Sequence, residues 1–153
     1  IDLAKSIINK AKNKGVNLLL PIDSVNANDF SNNSNILNSK IADVQDGYMG
    51  LDIGEESIRL FSEVIERSKT IIWNGPMGVF EMSNFENGTK KIGESICIST
   101  KNGAFSLIGG GDSVAAIKKF GMQNRVSYIS TGGGAMLEYL EGKELPGIKA
   151  ILG

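Results

Sequence analysis

The 153-residue sequence has no histidine and a single cysteine, Cys97. The first absence removes the commonest general base and the commonest metal ligand. Any chemistry must then use carboxylates, lysine or arginine, hydroxyls, backbone amides or a bound ion. One cysteine cannot form an intrachain disulfide. Cys97 reads as a small buried apolar residue on a helix, and a reducing, cytoplasmic setting suits it. Neither sign of charge is in excess: 16 basic and 17 acidic residues leave a net charge of −1. Nucleic-acid and anionic membrane surfaces call for a positive surplus, so neither partner is expected. No apolar run approaches the ~20 residues that span a bilayer. Two common phosphate motifs are also missing. Gly142-Lys143 is followed by Glu144, so there is no P-loop, and no GxGxxG follows the first strand. Ordinary P-loop enzymes and dinucleotide oxidoreductases are therefore disfavoured.

What the chain has is glycine, 19 residues of 153 against a usual ~7%, gathered at a few junctions rather than spread as a linker. The length suits about one domain, and 41% hydrophobic residues can build its core. Ile1 opens directly into a helical pattern without an initiator methionine, so the expectation is part of a longer protein. Leu3, Ile7, Ile8 and Ala11 recur at helical spacing, with Gly15 as C-cap. "VNLLLPI" reads as a buried strand ended by Pro21, and "DSVNANDFSNNSN" as a solvated loop. "ILNSKIADVQDG" is ambiguous, a short β segment closed by the Asp46-Gly47 turn. "EESIRLFSEVIERSK" is an amphipathic helix with acidic residues in its first turn, where the helix dipole favours them. "TIIW", "AFSLI" and "RVSYIS" read as strands, alternating with helices over "NFENGTKKIGESICISTKNG", "DSVAAIKKF" and "GAMLEYLEG". The tail "KELPGIKAILG" is expected to be extended. Apolar strands alternating with helices predict an α/β fold, a Rossmann-like three-layer sandwich with a mainly parallel sheet flanked by helices.

Three strands run into glycine: "TIIW" into Asn74-Gly75-Pro76, "AFSLI" into Gly109-Gly110-Gly111-Asp112, and "RVSYIS" into Thr131-Gly132-Gly133-Gly134. In a parallel sheet these junctions share the carboxyl edge, where α/β proteins bind ligands. Glycines let the backbone approach an anion, and the following helix offers free amides and its positive dipole end. Phosphate is the ligand this favours; tight turns alone are the alternative. Asp112 is expected to cap its helix or complement the dipole of its first turn, and also to give Mg²⁺ a carboxylate, which with phosphate and water can complete a magnesium shell. Ser113 offers a hydroxyl to the same phosphates. Glu81 is either a solvated loop residue or an acceptor for ribose hydroxyls. "MGLDIG" can wall a base ring or simply turn.

Together these stretches resemble phosphoglycerate kinase, in the later part of its nucleotide-binding C-terminal domain. The pieces that carry the resemblance are "LLLPIDSV", "GYMGLDIGEES", "TIIWNGPMGVFE", "FENGTKKI", "SLIGGGDSVAAIKKFG" and "VSYISTGGGAMLEYLEGKELPGI", in the family's order. The resemblance implies phosphoryl transfer between 1,3-bisphosphoglycerate and ADP, giving 3-phosphoglycerate and ATP with Mg²⁺, in glycolysis, by a monomeric cytoplasmic enzyme. By position, Gly50 and Leu51 would line the adenine pocket, Asn74, Pro76, Gly78 and Val79 would border the nucleotide, and Glu81 would hold the ribose. Gly110, Gly111, Asp112 and Ser113 would meet the phosphates, with Asp112 on Mg²⁺. Amides of Gly132, Gly133 and Gly134 would face the phosphoryl group in transfer.

Ser113 stands where the family usually has Thr, and Tyr128 where His is frequent. The resemblance does not extend to the family's N-terminal domain, which binds phosphoglycerate and against which the tail from residue 143 would pack. Nor does it extend to the first half of the C-terminal domain, with its phosphate-contacting lysines and adenine-binding glycines. The chain is therefore expected to supply part of the nucleotide site and to be inactive alone. The alternative is a non-catalytic nucleotide-binding or structural remnant.

Overall fold

The computed structural model describes residues 1–152. Helix α1, Asp2–Asn13, carries an apolar stripe but buries none of its residues. Strands β1 (Asp23–Ala27), β2 (Ile36–Lys40) and β3 (Met49–Ile53) form an antiparallel sheet in the order β2-β1-β3. Helix α2, Glu55–Arg67, follows, and then strand β4, Thr70–Asn74. Helix α3, Asn87–Lys101, leads to β5, Phe105–Gly109, and helix α4, Gly111–Lys119, to β6, Tyr128–Ile129. Helices α5, Gly133–Leu140, and α6, Pro146–Leu152, complete the chain. Strands β4, β5 and β6 form a parallel sheet in that order, flanked by helices, which is the α/β arrangement predicted.

The main core lies between this parallel sheet and one layer of helices. Ile71, Trp73 and Ile108 from β4 and β5 meet Ile58 of α2, Ile92 and Ile96 of α3, and Ile117 of α4. Each such side chain contributes roughly 1.5–3 kcal/mol by leaving water. Alternation along β4 turns Ile72 to the other face, where it is 46% exposed. A second, smaller cluster of Ala27, Leu51 and Phe85 joins the antiparallel sheet to the loop after β4.

Three elements differ from expectation. The run "VNLLLPI" forms no strand, and Leu18 and Leu20 are exposed. Apolar side chains favour a strand, but a strand also needs a neighbouring strand to form a ladder with, and residues 16–22 join neither sheet among the described residues; Ile22 alone accepts one backbone bond there, from Ile41 N at 3.1 Å. The segment expected as a polar loop begins instead with β1. Its polar residues are there to be buried: Asn26 is fully enclosed, donating to the Leu37 carbonyl and Ser39 Oγ, both at 3.0 Å, and accepting from Ser24 Oγ at 2.8 Å. The tail is helical rather than extended. Pro146 occupies the first position of α6, where its missing N–H costs nothing.

Candidate functional site

The parallel register sets Asn74 beside Gly109, so the first two glycine junctions emerge side by side at the carboxyl edge. Gly110 has φ = 86°, a left-handed conformation that favours glycine, and Asn74 Oδ1 fills the space a Cβ there would need. The third junction closes against the second. A Cβ on Gly133 would stand 2.5 Å from Gly110 N and 2.6 Å from its Cα. Two of the glycines thus allow the turns to touch one another. Around Gly111, Gly132 and Gly134 the reverse holds: a Cβ would meet nothing within 4 Å. Those three glycines face open space at the N-terminal ends of α4 and α5, room that phosphate oxygens fit.

Asp112 is exposed in the first turn of α4. It does not cap the helix. The N-cap position is Gly110, with no side-chain capping bond. The carboxylate therefore adds charge at the dipole's positive end and makes no hydrogen bond among the described residues. No cluster of three potential metal ligands occurs among them either. One free carboxylate beside an open glycine turn does fit Mg²⁺, which takes few protein ligands and fills its shell with phosphate and water. Ser113 is fully buried, and its Oγ accepts a hydrogen bond from Gly75 N at 2.6 Å. Its hydroxyl ties the first two turns together.

A neighbouring cleft of about 380 Å³ gathers Gly50 and Leu51 from β3 with Pro76, Gly78 and Val79 from the loop after β4. The two sides are joined by Val79 N, which donates to the Leu51 carbonyl at 2.8 Å. Asn74, Glu81 and residues 110–113 and 132–134 do not line this cleft. Asn74 and both glycine triplets meet at the sheet edge, whereas Glu81 stands exposed on the loop beyond Val79.

Sequence reading missed three residues that shape this loop. Asp52 is 5% exposed in β3; its Oδ2 accepts from Gly88 N at 2.7 Å and its Oδ1 from Ile53 N at 2.9 Å. Burial pushes its carboxyl up to about 6, against the pull of those amides, and the charge of Glu55 adds to the rise. Thr89 Oγ1 accepts from Met77 N at 3.1 Å and from Gly78 N at 3.2 Å. Lys119, at the end of α4, donates to the Phe80 carbonyl and to Glu86 Oε2, both at 2.6 Å. A carboxylate between Leu51 and Ile53 was the one available signal for Asp52. Thr89 and Lys119 carried none.

The sequence profile of the phosphoglycerate kinase family matches residues 1–143. The chain belongs to the phosphoglycerate kinase family. It is 55% identical over all 153 residues to a phosphoglycerate kinase of Porphyromonas gingivalis, of which it covers 37%. It is 52% identical over 151 residues to a cytosolic phosphoglycerate kinase, number 3, of Arabidopsis thaliana, covering 99% of this chain and 38% of that one. Among solved structures, phosphoglycerate kinase from Coxiella burnetii superposes with a TM-score of 0.91 at 39% identity, over 97% of this chain and 38% of that one. The chain thus spans little more than a third of the phosphoglycerate kinases it matches. No helix among the described residues is long and apolar enough to cross a membrane.

Proposed function

We propose that this chain forms part of the nucleotide side of a phosphoglycerate kinase active site. The observation that carries this is the meeting of the Gly109–Asp112 and Gly132–Gly134 turns at the carboxyl edge of the parallel sheet, beside the cleft of Gly50, Leu51, Pro76, Gly78 and Val79. ADP or ATP would lie with its base between Gly50–Leu51 and Val79, its ribose toward Glu81 and its phosphates over Gly110 and Gly111, whose turn the buried Ser113 hydroxyl braces against Gly75. Asp112 would hold Mg²⁺, which when bound neutralises phosphate charge.

The reaction moves a phosphoryl group from the acyl phosphate of 1,3-bisphosphoglycerate to ADP. The bond from phosphorus to the carboxyl oxygen breaks, a bond to the terminal oxygen of ADP forms, and 3-phosphoglycerate leaves as a carboxylate. Charge on the transferring group spreads over its equatorial oxygens, so catalysis is mostly positioning and electrostatic stabilisation. Amides of Gly132, Gly133 and Gly134 and the N-terminal end of α4 would supply that stabilisation without a proton-transfer residue. The lack of histidine is compatible with this chemistry.

The whole protein that contains this sequence is expected to turn over MgATP with 3-phosphoglycerate, and Asp112→Asn to lower kcat by about a hundredfold or more. Steady-state assay of both forms tests this. Full activity in the Asp112→Asn enzyme would remove Asp112 from the mechanism. No turnover in the native enzyme would remove the reaction itself.

A further inference from the structure

Helix α4 grips the loop after β4 at two points. At its start, Ser113 Oγ accepts from Gly75 N. At its end, Lys119 Nζ donates to the Phe80 carbonyl and to Glu86 Oε2, both at 2.6 Å. Phe80 is buried, and its carbonyl belongs to the peptide that leads into Glu81. On the other side of Glu81, Met82 N donates to the Val79 carbonyl at 3.0 Å and closes a turn. Glu81 is thus pinned from both sides while its own side chain is exposed and makes no hydrogen bond among the described residues.

An exposed Lys–Glu pair alone contributes little. The bond to a backbone carbonyl is different: it is charge-assisted and fixes one peptide plane. Lys119 also lies seven residues along α4 from Asp112, so the helix is a rigid spacer of about 10 Å between the phosphate turn and the Glu81 loop. We propose that Lys119 is a positioning residue for Glu81, holding the Phe80–Glu81 peptide so that the Glu81 carboxylate meets the ribose hydroxyls of a nucleoside diphosphate. This rests on the nucleotide reading given above.

The test compares MgADP with its 2′,3′-dideoxy analogue, which lacks the ribose hydroxyls, in calorimetric titrations of the whole protein. Four forms are needed: native, Lys119→Met, Glu81→Gln and the double variant. Lys119→Met is expected to weaken MgADP about fivefold, part of the worth of a hydrogen bond to a charged group. The same substitution should leave the dideoxy analogue unaffected and add nothing in the Glu81→Gln background. Lys119→Arg, which keeps the charge and donors, should recover part of the loss. Partial unfolding would weaken both ligands alike and cannot imitate this selectivity. Equal losses for both ligands, or full additivity with Glu81→Gln, would overturn the inference. Native protein that binds both ligands equally would instead overturn the ribose role of Glu81, and this inference with it.

Discussion

At the scale of the residue, Asp52 carries a pH signature. Its folded value of about 6 lies above the ordinary 3.8 because burial outweighs the Gly88 and Ile53 amides. Between those values the folded chain keeps a proton that the unfolded chain has released. Asp52 therefore makes stability fall as pH rises from about 4 through about 6, by about 3 kcal/mol in all, levelling off once pH is well above the folded value. Asp52→Asn should flatten that part of the profile; denaturant midpoints of both forms across the window check it, and parallel profiles would speak against it. Gly133 makes a steric prediction. Gly133→Ala places a Cβ 2.5 Å from the Gly110 amide nitrogen, so the two turns must part. The expected cost is about 1–3 kcal/mol in the same denaturation measurement, whereas Gly134→Ala, with open space around it, should cost far less. Glycine spacing made the two turns readable from sequence, since three strands ending in glycine imply one shared edge. It could not show that Gly133 serves the neighbouring turn, or that the Ser113 hydroxyl is engaged with Gly75. Both depend on residues distant in sequence.

At the scale of the element, α2 shows how the two sheets are tied. Its N-cap position is Gly54, which has no side chain to cap with. Asp23 of β1 caps it from across the sheet, accepting from Glu56 N at 2.9 Å and from Ser57 N at 2.8 Å. Burial tends to raise the Asp23 carboxyl, but the Ser57 hydroxyl and these amides together lower it below 3.8. Asp23→Ala should cost about 1–2 kcal/mol at neutral pH. Because the folded value is the lower one, that difference is complete above about 3.8 and shrinks as pH falls below it. A urea series at neutral and acidic pH measures both features. The helices α1 to α5 and the strands β4 and β5 were readable because their apolar spacing follows the helical and strand periods. Strand β1 was not, because Ser24 and Asn26 are buried through hydrogen bonds rather than by apolarity. Helix α6 was not foreseen, since the tail was expected to be extended; Pro146 opens it at the first helical position.

At the scale of the whole molecule, apolar strands alternating with helices implied the parallel sheet, and the motifs at the three glycine junctions carried the resemblance to the family. The antiparallel sheet was not foreseen, yet it supplies Gly50 and Leu51 to the cleft. The carboxyl edge brings amides, a free carboxylate and the cleft together, but the chain spans only 37% of a matched relative. The 153-residue chain alone is accordingly expected to give no turnover of 3-phosphoglycerate with MgATP, checked by the same assay as the whole protein. The central claim concerns nucleotide phosphates at the glycine turns, and a calorimetric titration with MgADP of the native whole protein and its Asp112→Ala variant tests it most directly. The account predicts saturable one-site heat in the native protein that is lost or greatly weakened in the variant. Equal affinity in the two, or no heat in the native protein, would contradict it.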